Sequence, residues 1–303
     1  MPVARANGID IAWESRGDDK APPILLVMGL GMPLSLWPDR FVDGLVAAGF
    51  RVILFDNRDV GHSTRIGGEA PGNPFLAIGK LFMGFAVHGI YRLEDMADDA
   101  VGLLDALGIP KAHVAGMSMG GMIAQVVACR HAARVASLTS IMSTSGYPRV
   151  SVGHPKALRV ILQSPPNPKD LEAVAQHLAR ELRVIGSERY PPEEAELMAL
   201  CRRVAERGLD PEGLSRQLFA ILASGDRREA LKRINVPTLV IHGLDDPLLP
   251  IEASRDIARN VPGAALWEVE GMAHDLPGPL IPALVERIAA HCRAAPWDQS
   301  PSP

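Results

Sequence analysis

Gly116-Met117-Ser118-Met119-Gly120-Gly121 is the stretch of sequence that decides the fold. A short apolar run over residues 112–115 leads into it, and a helical pattern from residue 119 to about residue 131 leads out. A serine with a glycine two residues before it and two after it, set between a strand and a helix, is the nucleophile-elbow arrangement. In so tight a turn the serine needs strained dihedrals, and a side chain at Gly116 or Gly120 would collide with neighbouring backbone. The pattern also fits a simple glycine-rich turn, so the rest of the chain has to decide between the two interpretations.

Composition excludes several classes of function. The chain has 303 residues, of which 47% are hydrophobic and 22% charged, and its net charge is −4. These values are ordinary for a globular protein and give no reason to expect a nucleic-acid partner. The three cysteines form no Cys-x-x-Cys pair, and the histidines show no metal-binding spacing. We therefore expect no metal site.

The N-terminal segment, Met-Pro-Val-Ala-Arg-Ala-Asn-Gly, lacks the apolar core of a signal peptide. No apolar run reaches the roughly 18–20 residues that a membrane-spanning helix needs. We therefore expect a cytoplasmic protein without a membrane span.

Strands and helices alternate along most of the chain. Continuous apolar runs that end in glycine or aspartate indicate strands buried on both faces. The predicted strands are residues 24–28, 51–55, 112–115, 135–142, 238–242 and 265–269, after a hairpin at Asn7-Gly8. The predicted helices are residues 37–48, 93–107, 119–131 and 280–290. This alternation predicts an α/β fold, with a mainly parallel twisted sheet flanked by helices.

Two segments interrupt the alternation. Residues 143–230 are helix-rich, contain many prolines and show no βαβ pattern, so they are predicted to form a helical cap. The expected domains are a core over residues 1–142 and 231–296, the cap, and a flexible tail over residues 297–303. The second segment, Gly72 to Tyr91, is apolar and is interpreted as a buried helix or as a lip over a substrate pocket, two interpretations that are compatible.

Reactive side chains follow several strands at the same predicted edge of the sheet. Ser118 follows one strand, Asp245 and Asp246 follow another, and His274 follows the last. Ligands of such sheets bind at the carboxyl ends of the strands. A serine hydroxyl needs an adjacent base, which is usually a histidine oriented by a carboxylate. The chain offers the three groups in the order serine, aspartate, histidine.

With these motifs the chain resembles the α/β-hydrolases over nearly its whole length, and in particular the branch of aclacinomycin methylesterase and related carboxylesterases. The residues that carry the resemblance are Leu25-Leu26-Val27-Met28-Gly29, Asp56 to Thr64, Gly116 to Gly121, His242-Gly243-Leu244-Asp245-Asp246-Pro247 and Gly271-Met272-Ala273-His274. Five motifs in register are specific for the fold. They are less specific for the reaction, because proteins of this fold catalyse several different reactions.

The resemblance implies a catalytic triad of Ser118 as nucleophile, Asp246 as acid and His274 as base. Asp245 is the rival acid. An ester carbonyl would be attacked by the serine, an acyl-enzyme would form, and water would hydrolyse it.

The resemblance also implies an oxyanion hole made of the backbone N–H groups of Leu30 and Met119. Met28 stands where the commonest family pattern has a histidine, and the methylesterase branch also has methionine there. The resemblance further implies that Gly29, Gly31, Met117 and Met122 lie in the substrate pocket. The sequence leaves open whether such methionines form an adaptable wall or simply fill the core.

The predicted function is a serine carboxylesterase for small to medium apolar esters, without metal or organic cofactor and with the small-molecule ester as its partner. Cofactor-free haloperoxidase or perhydrolase activity and carbon–carbon bond hydrolysis use the same triad and remain alternatives. A ligand-binding receptor on a hydrolase scaffold is the non-enzymatic alternative. The oligomeric state stays open, a homodimer included.

Overall fold

The fold is built on a central sheet of eight strands. The structure is a computed structural model that describes residues 1–69 and 72–296. The predicted flexible tail, residues 297–303, lies outside the described residues. The strands are β1 (Val3–Ala6), β2 (Ile9–Arg16), β3 (Pro23–Val27), β4 (Arg51–Phe55), β5 (Ala112–Met117), β6 (Val135–Ile141), β7 (Thr238–Gly243) and β8 (Ala265–Val269).

The strand order in the sheet is β1-β2-β4-β3-β5-β6-β7-β8. The first two strands form the hairpin predicted at Asn7-Gly8, and β2 also pairs antiparallel with β4. All the other neighbouring strands pair in parallel. The predicted mainly parallel sheet is therefore confirmed, with its antiparallel strands at one edge.

The helices lie between these strands and in one long insertion. They are α1 (Asp39–Ala47), α2 (Pro74–Phe82), α3 (Leu93–Ala106), α4 (Met119–Arg130), α5 (Pro155–Ile161), α6 (Leu171–Ile185), α7 (Glu194–Arg207), α8 (Pro211–Ser224), α9 (Arg228–Leu231), α10 (Ile251–Asn260) and α11 (Ile281–Ala294). Among the helices that the structure describes, none is long and apolar enough to cross a bilayer.

Strand β3 shows why the apolar runs form buried strands. Its five residues are all buried, and successive side chains point to opposite faces of the sheet. Leu25 and Val27 pack into the core cluster beneath α3 and α4, whereas Ile24 and Leu26 pack into the cluster beneath α1 and α11. Both faces are covered, so a polar residue at any of these positions would lie in the core.

The insertion between β6 and β7 is helical, as the sequence predicts. Helices α6 and α7 pack against each other around a core cluster of their own. Helix α9 spans the predicted boundary at residue 230, and it contacts α4 and α10 with Leu231 in the main core. The cap therefore consists of α5 to α8, and we use the name in this sense below.

Helix α2 is the apolar segment for which the sequence left two interpretations. Ala77 is buried against Leu218 and Phe219 of α8, while the outer face of the helix stays exposed. Phe75 and Leu76 on that face are 61% and 70% exposed. Other residues of α2 line the cavity described below. Helix α2 is thus packed against the cap on one face and also lines the cavity, so the two interpretations are compatible, as expected.

Candidate active site

The turn between β5 and α4 holds Ser118 in a strained conformation. Ser118 has φ 57° and ψ −121°, a region that side-chain-bearing residues rarely adopt. A Cβ at Gly116 would overlap the carbonyl of Gly120, and a Cβ at Gly120 would overlap the carbonyl of Val27. The two glycines are therefore required by close backbone contacts, as the sequence predicts. The result is a half-buried serine at the carboxyl edge of the sheet.

Asp246 and His274 meet at the same edge from two other strand ends. His274 Nδ1 lies 2.7 Å from Asp246 Oδ2, and both residues are buried. The other carboxylate oxygen, Oδ1, accepts the backbone N–H groups of Leu248 at 2.8 Å and Leu249 at 2.9 Å. Asp245, the rival acid, is exposed on the far side of this turn. The structure thus brings Asp246, and not Asp245, to His274.

Ser118 and His274 line one cavity. Because the carboxylate of Asp246 only accepts, Nδ1 of His274 carries the proton and Nε2 is the basic nitrogen. Among the described residues, no hydrogen bond joins the Ser118 hydroxyl to this ring, and Nε2 has no other partner. Such bonds are often long in proteins without substrate and tighten in the complex.

Two backbone amides lie beside the serine without a hydrogen-bond partner in the described part of the chain. They belong to Leu30, after the end of β3, and to Met119, the first residue of α4. The loop of Leu30 passes very close to the serine, since a Cβ built on Gly29 would lie 3.3 Å from Ser118 Cβ. Unpaired amides at a helix N-terminus favour a developing negative charge.

The cavity above Ser118 has a volume of about 580 Å³ and a mainly apolar wall. Gly29, Met117 and Met122 line it, as the sequence predicts for pocket residues. Gly31 is different. Its amide donates to Gln217 Oε1 at 2.7 Å, and Leu214 of α8 packs over its Cα, so it contacts the cap and is absent from the described cavity wall.

His242, at the end of β7, belongs to this site although the sequence motif gave it no role. The ring is fully buried, with Nε2 2.9 Å from the carbonyl of Leu249 and 3.4 Å from Asp246 Oδ2. A carbonyl can only accept, so Nε2 carries the proton, and Nδ1 accepts the hydroxyl of Ser254 at 2.6 Å. Burial lowers the pKa of His242. A neutral N–H donor therefore faces the carboxylate that orients His274.

A second set of contacts ties the loop of His274 to the end of cap helix α6. The backbone N–H of His274 donates to the carbonyl of Ile185 at 2.9 Å. Ser187 accepts the N–H of Ala273 at 2.8 Å and donates its hydroxyl to Asp275 Oδ1 at 2.5 Å. Burial raises the pKa of Asp275, and the bonds from Ser187 oppose that rise. Residues on both sides of His274 are thus held by one cap serine, which the sequence did not single out.

No cluster of three or more histidine, cysteine, aspartate or glutamate side chains within residues 1–69 and 72–296 has the arrangement of a metal site. Cys129, Cys201 and Cys292 are free thiols, and burial raises the pKa of each.

Comparison with known proteins gives three findings. A family model described as alpha/beta hydrolase fold matches residues 22–277. The rhodomycin D methylesterase DnrP of Streptomyces peucetius is 31% identical, over 97% of this chain and 99% of the relative, and DauP of Streptomyces sp. (strain C5), which carries the same enzyme name, is 31% identical over 93% and 94%. The crystal structure of an enol-lactonase from Burkholderia xenovorans LB400 superposes with a TM-score of 0.73 and 27% identity, covering 96% of this chain and 100% of that one.

Proposed function

The chain belongs to the alpha/beta hydrolase family and is a hydrolase, and from that premise we propose that it is a serine carboxylesterase with Ser118 as nucleophile, His274 as base and Asp246 as the orienting acid. The observation that carries the proposal is the strained Ser118 in the wall of a mainly apolar cavity that His274, paired with Asp246, also lines. Helix N-terminus, base and acid are the three supports that a serine nucleophile needs.

The first half of the reaction forms an acyl-enzyme. Nε2 of His274 takes the proton of the Ser118 hydroxyl as Oγ attacks the ester carbonyl. Asp246 holds the ring with Nδ1–H toward it and stabilises the imidazolium that forms. The amides of Leu30 and Met119 donate to the carbonyl oxygen as it becomes negative, and removal of one such donor typically costs about 10²–10³-fold in rate.

The second half releases the acid. His274 gives its proton to the alcohol oxygen as the bond between the carbonyl carbon and that oxygen breaks. Water then enters, His274 takes one of its protons, and the hydroxide oxygen attacks the acyl carbon. The Ser118 oxygen leaves with the proton from His274, which restores the starting state.

We further propose that the substrates are alkyl esters, methyl esters among them, of medium-sized apolar acids. A cavity of about 580 Å³ falls within the range that holds drug-sized ligands. Met28, Met32, Met117 and Met122 lie in its wall and are flexible enough to fit varied apolar shapes. Two relatives that match along nearly their whole length are named methylesterases, which supports a small alcohol group.

Ser118→Ala tests the chemistry. It removes the nucleophile but keeps the Cβ and therefore the backbone strain at this position, so the protein is expected to fold while turnover of p-nitrophenyl butyrate falls by about 10⁴-fold or more. The burst of p-nitrophenol that reports acyl-enzyme formation should disappear. Turnover within a few-fold of the wild-type rate would overturn the assignment of Ser118.

Methyl esters of increasing acyl size test the substrate class. We expect kcat/KM for methyl 2-naphthylacetate to exceed that for methyl acetate by about 100-fold, because the ring system is buried against apolar walls. Equal values would contradict a medium-sized acyl group, whatever the result for Ser118→Ala.

A further inference from the structure

A carboxyl group of the cap lies in the mainly apolar wall of the cavity, which also contains the charged residues Asp39, Arg40, Glu196, Arg203 and Asp275. Glu181 belongs to α6, lines the cavity, and is only 6% exposed. Its carboxylate accepts no hydrogen bond from any residue in the described ranges. Carboxylates are rarely buried unless they are paired, because desolvation of the charge is costly.

The neighbouring charged groups do not neutralise this carboxyl. Nε2 of His177 lies 3.1 Å from Glu181 Oε1, but the same nitrogen lies 3.0 Å from the carbonyl of Gln163 and must carry a proton to bond it. Nδ1 of His177 faces the guanidinium of Arg180 at 3.5 Å and therefore accepts. The ring is thus a neutral group that donates to the carbonyl of Gln163, and it brings no full positive charge to Glu181.

The other groups around Glu181 are equally unsuited to form an ion pair. Arg180, which precedes Glu181 on α6, lowers its pKa through its charge, but no ion pair joins the two side chains among the contacts of the described residues. The negative charge of Glu181 helps to raise the pKa of the buried Cys201 thiol on α7, after burial, which raises it most. Burial raises the pKa of Glu181 itself to about 8. A proton, and not a basic side chain, therefore satisfies the carboxyl when the cavity holds no ligand.

We propose that Glu181 is an ammonium-binding subsite, which makes the protein selective for esters that carry a primary amine on the part of the substrate beneath the cap. An alkylammonium ion supplies the positive charge and the three N–H donors that the carboxylate lacks. The surrounding apolar wall suits the carbon chain of the same ligand. The selectivity for amine-bearing esters rests on the proposed esterase function, but ammonium binding at Glu181 can be tested without measuring turnover.

Ligand binding at this subsite should release a proton. Near pH 7 the carboxyl is mostly protonated, whereas an ion pair requires the carboxylate, so the carboxyl proton passes to solvent while the ammonium keeps its own. Titration calorimetry of the wild-type protein with hexylammonium chloride in phosphate and in Tris should therefore show release of about one proton per ligand bound. This measurement needs no variant. Binding without proton release would overturn the proposal.

Selectivity is measured with a matched neutral ligand and a matched variant. We expect the wild-type protein to bind hexylammonium about 10-fold or more tightly than 1-hexanol, and Glu181→Gln to remove that difference. Glu172→Gln is the control, because Glu172 lies on the exposed side of α6 and pairs with Arg202. It should keep the wild-type difference. Equal affinities for the two ligands in the wild type, or an unchanged difference in Glu181→Gln, would overturn the subsite.

Turnover separates this inference from the proposed function. The ratio of kcat/KM for methyl 6-aminohexanoate to that for methyl heptanoate should fall about 10-fold or more in Glu181→Gln and stay constant in Glu172→Gln. If Ser118→Ala abolishes hydrolysis while the ratio does not respond to Glu181, the esterase stands and the subsite fails. If the amine binds through Glu181 but neither ester is hydrolysed, the subsite stands and the esterase fails.

Discussion

At the scale of single residues, the carboxylate of Asp246 has the most completely determined surroundings in the site. One oxygen accepts two backbone amides, and the other faces the rings of His274 and His242. The position of this residue follows from the sequence because a short motif fixes the turn after β7. The part played by His242 does not follow from the sequence, since it depends on Ser254 and Leu249 folding back over the ring.

Asp246→Asn and Asp245→Asn distinguish the two candidate acids. Asparagine at residue 246 can present its amide N–H to His274 and favour the wrong tautomer, so we expect kcat to fall by about 10³–10⁴-fold. Asp245 is exposed, and no hydrogen bond or ion pair found among the described residues joins its side chain to the ring, so its substitution should change kcat by less than about 3-fold. Steady-state kinetics on p-nitrophenyl butyrate measures both. A larger loss in Asp245→Asn would reverse the assignment.

At the scale of elements, strands and helices are predicted more accurately from the sequence when more of their surface is buried. The central strands were predictable because a strand covered on both faces needs a continuous apolar run, as in β3 and β7. Helix α10 was not predicted. This helix is rich in charged residues and buries only a narrow face. Its apolar periodicity therefore depends on few residues, such as Ala253 and Ile257, and is weak in the sequence. In the cap, helical periodicity indicates the helices but not which residues face the cavity, and for this reason Glu181 and Ser187 were missed.

The contact between α6 and the loop of His274 leads to a prediction for Ser187. Ser187→Ala removes the bonds to Ala273 and Asp275 on either side of the base, so we expect kcat to fall about 10-fold or more through misplacement of the ring. The pH dependence of kcat should shift as well, because Asp275 loses a partner beside His274.

Ser35→Ala is the control for this prediction. The Ser35 hydroxyl is buried without a partner in the described part of the chain, so its removal breaks no bond and should leave kcat unchanged. If the two variants have the same kcat, Ser187 has no positioning role.

At the scale of the whole molecule, buried histidines link the stability of the fold to pH. His113 in β5 is 2% exposed, lies 2.8 Å from the hydroxyl of Ser137 and meets the edge of Phe50. Burial, followed by the nearby His291 and Lys111, lowers its pKa to about 4. The unfolded chain binds a proton here near pH 6.5 while the folded protein does not. Stability from this residue is therefore complete above about pH 6.5 and is lost as the pH falls toward 4.

His113→Asn should isolate this contribution. We expect the free energy of unfolding of the wild type, relative to the variant, to fall by about 2 to 3 kcal/mol between pH 7.5 and pH 4.5. Urea denaturation at the two pH values provides the measurement. The comparison must be made with the variant, because Glu181, whose pKa is raised to about 8, changes the stability of the wild type in the opposite direction over the same range. A difference that does not depend on pH would show that His113 is protonated alike in both states.

The main-chain bond from His274 to Ile185 limits how the protein can admit large molecules. If the cap, α5 to α8, moved outward as a rigid body, the bond from Ile185 at the end of α6 would pull the loop of His274 with it. With the cap moved that far outward, His274 would be displaced from Ser118, and the site would be inactive until the cap returned. Ligands can therefore enter without disturbing this loop only when side chains at the mouth of the cavity move individually and the C-terminal end of α6 stays in place.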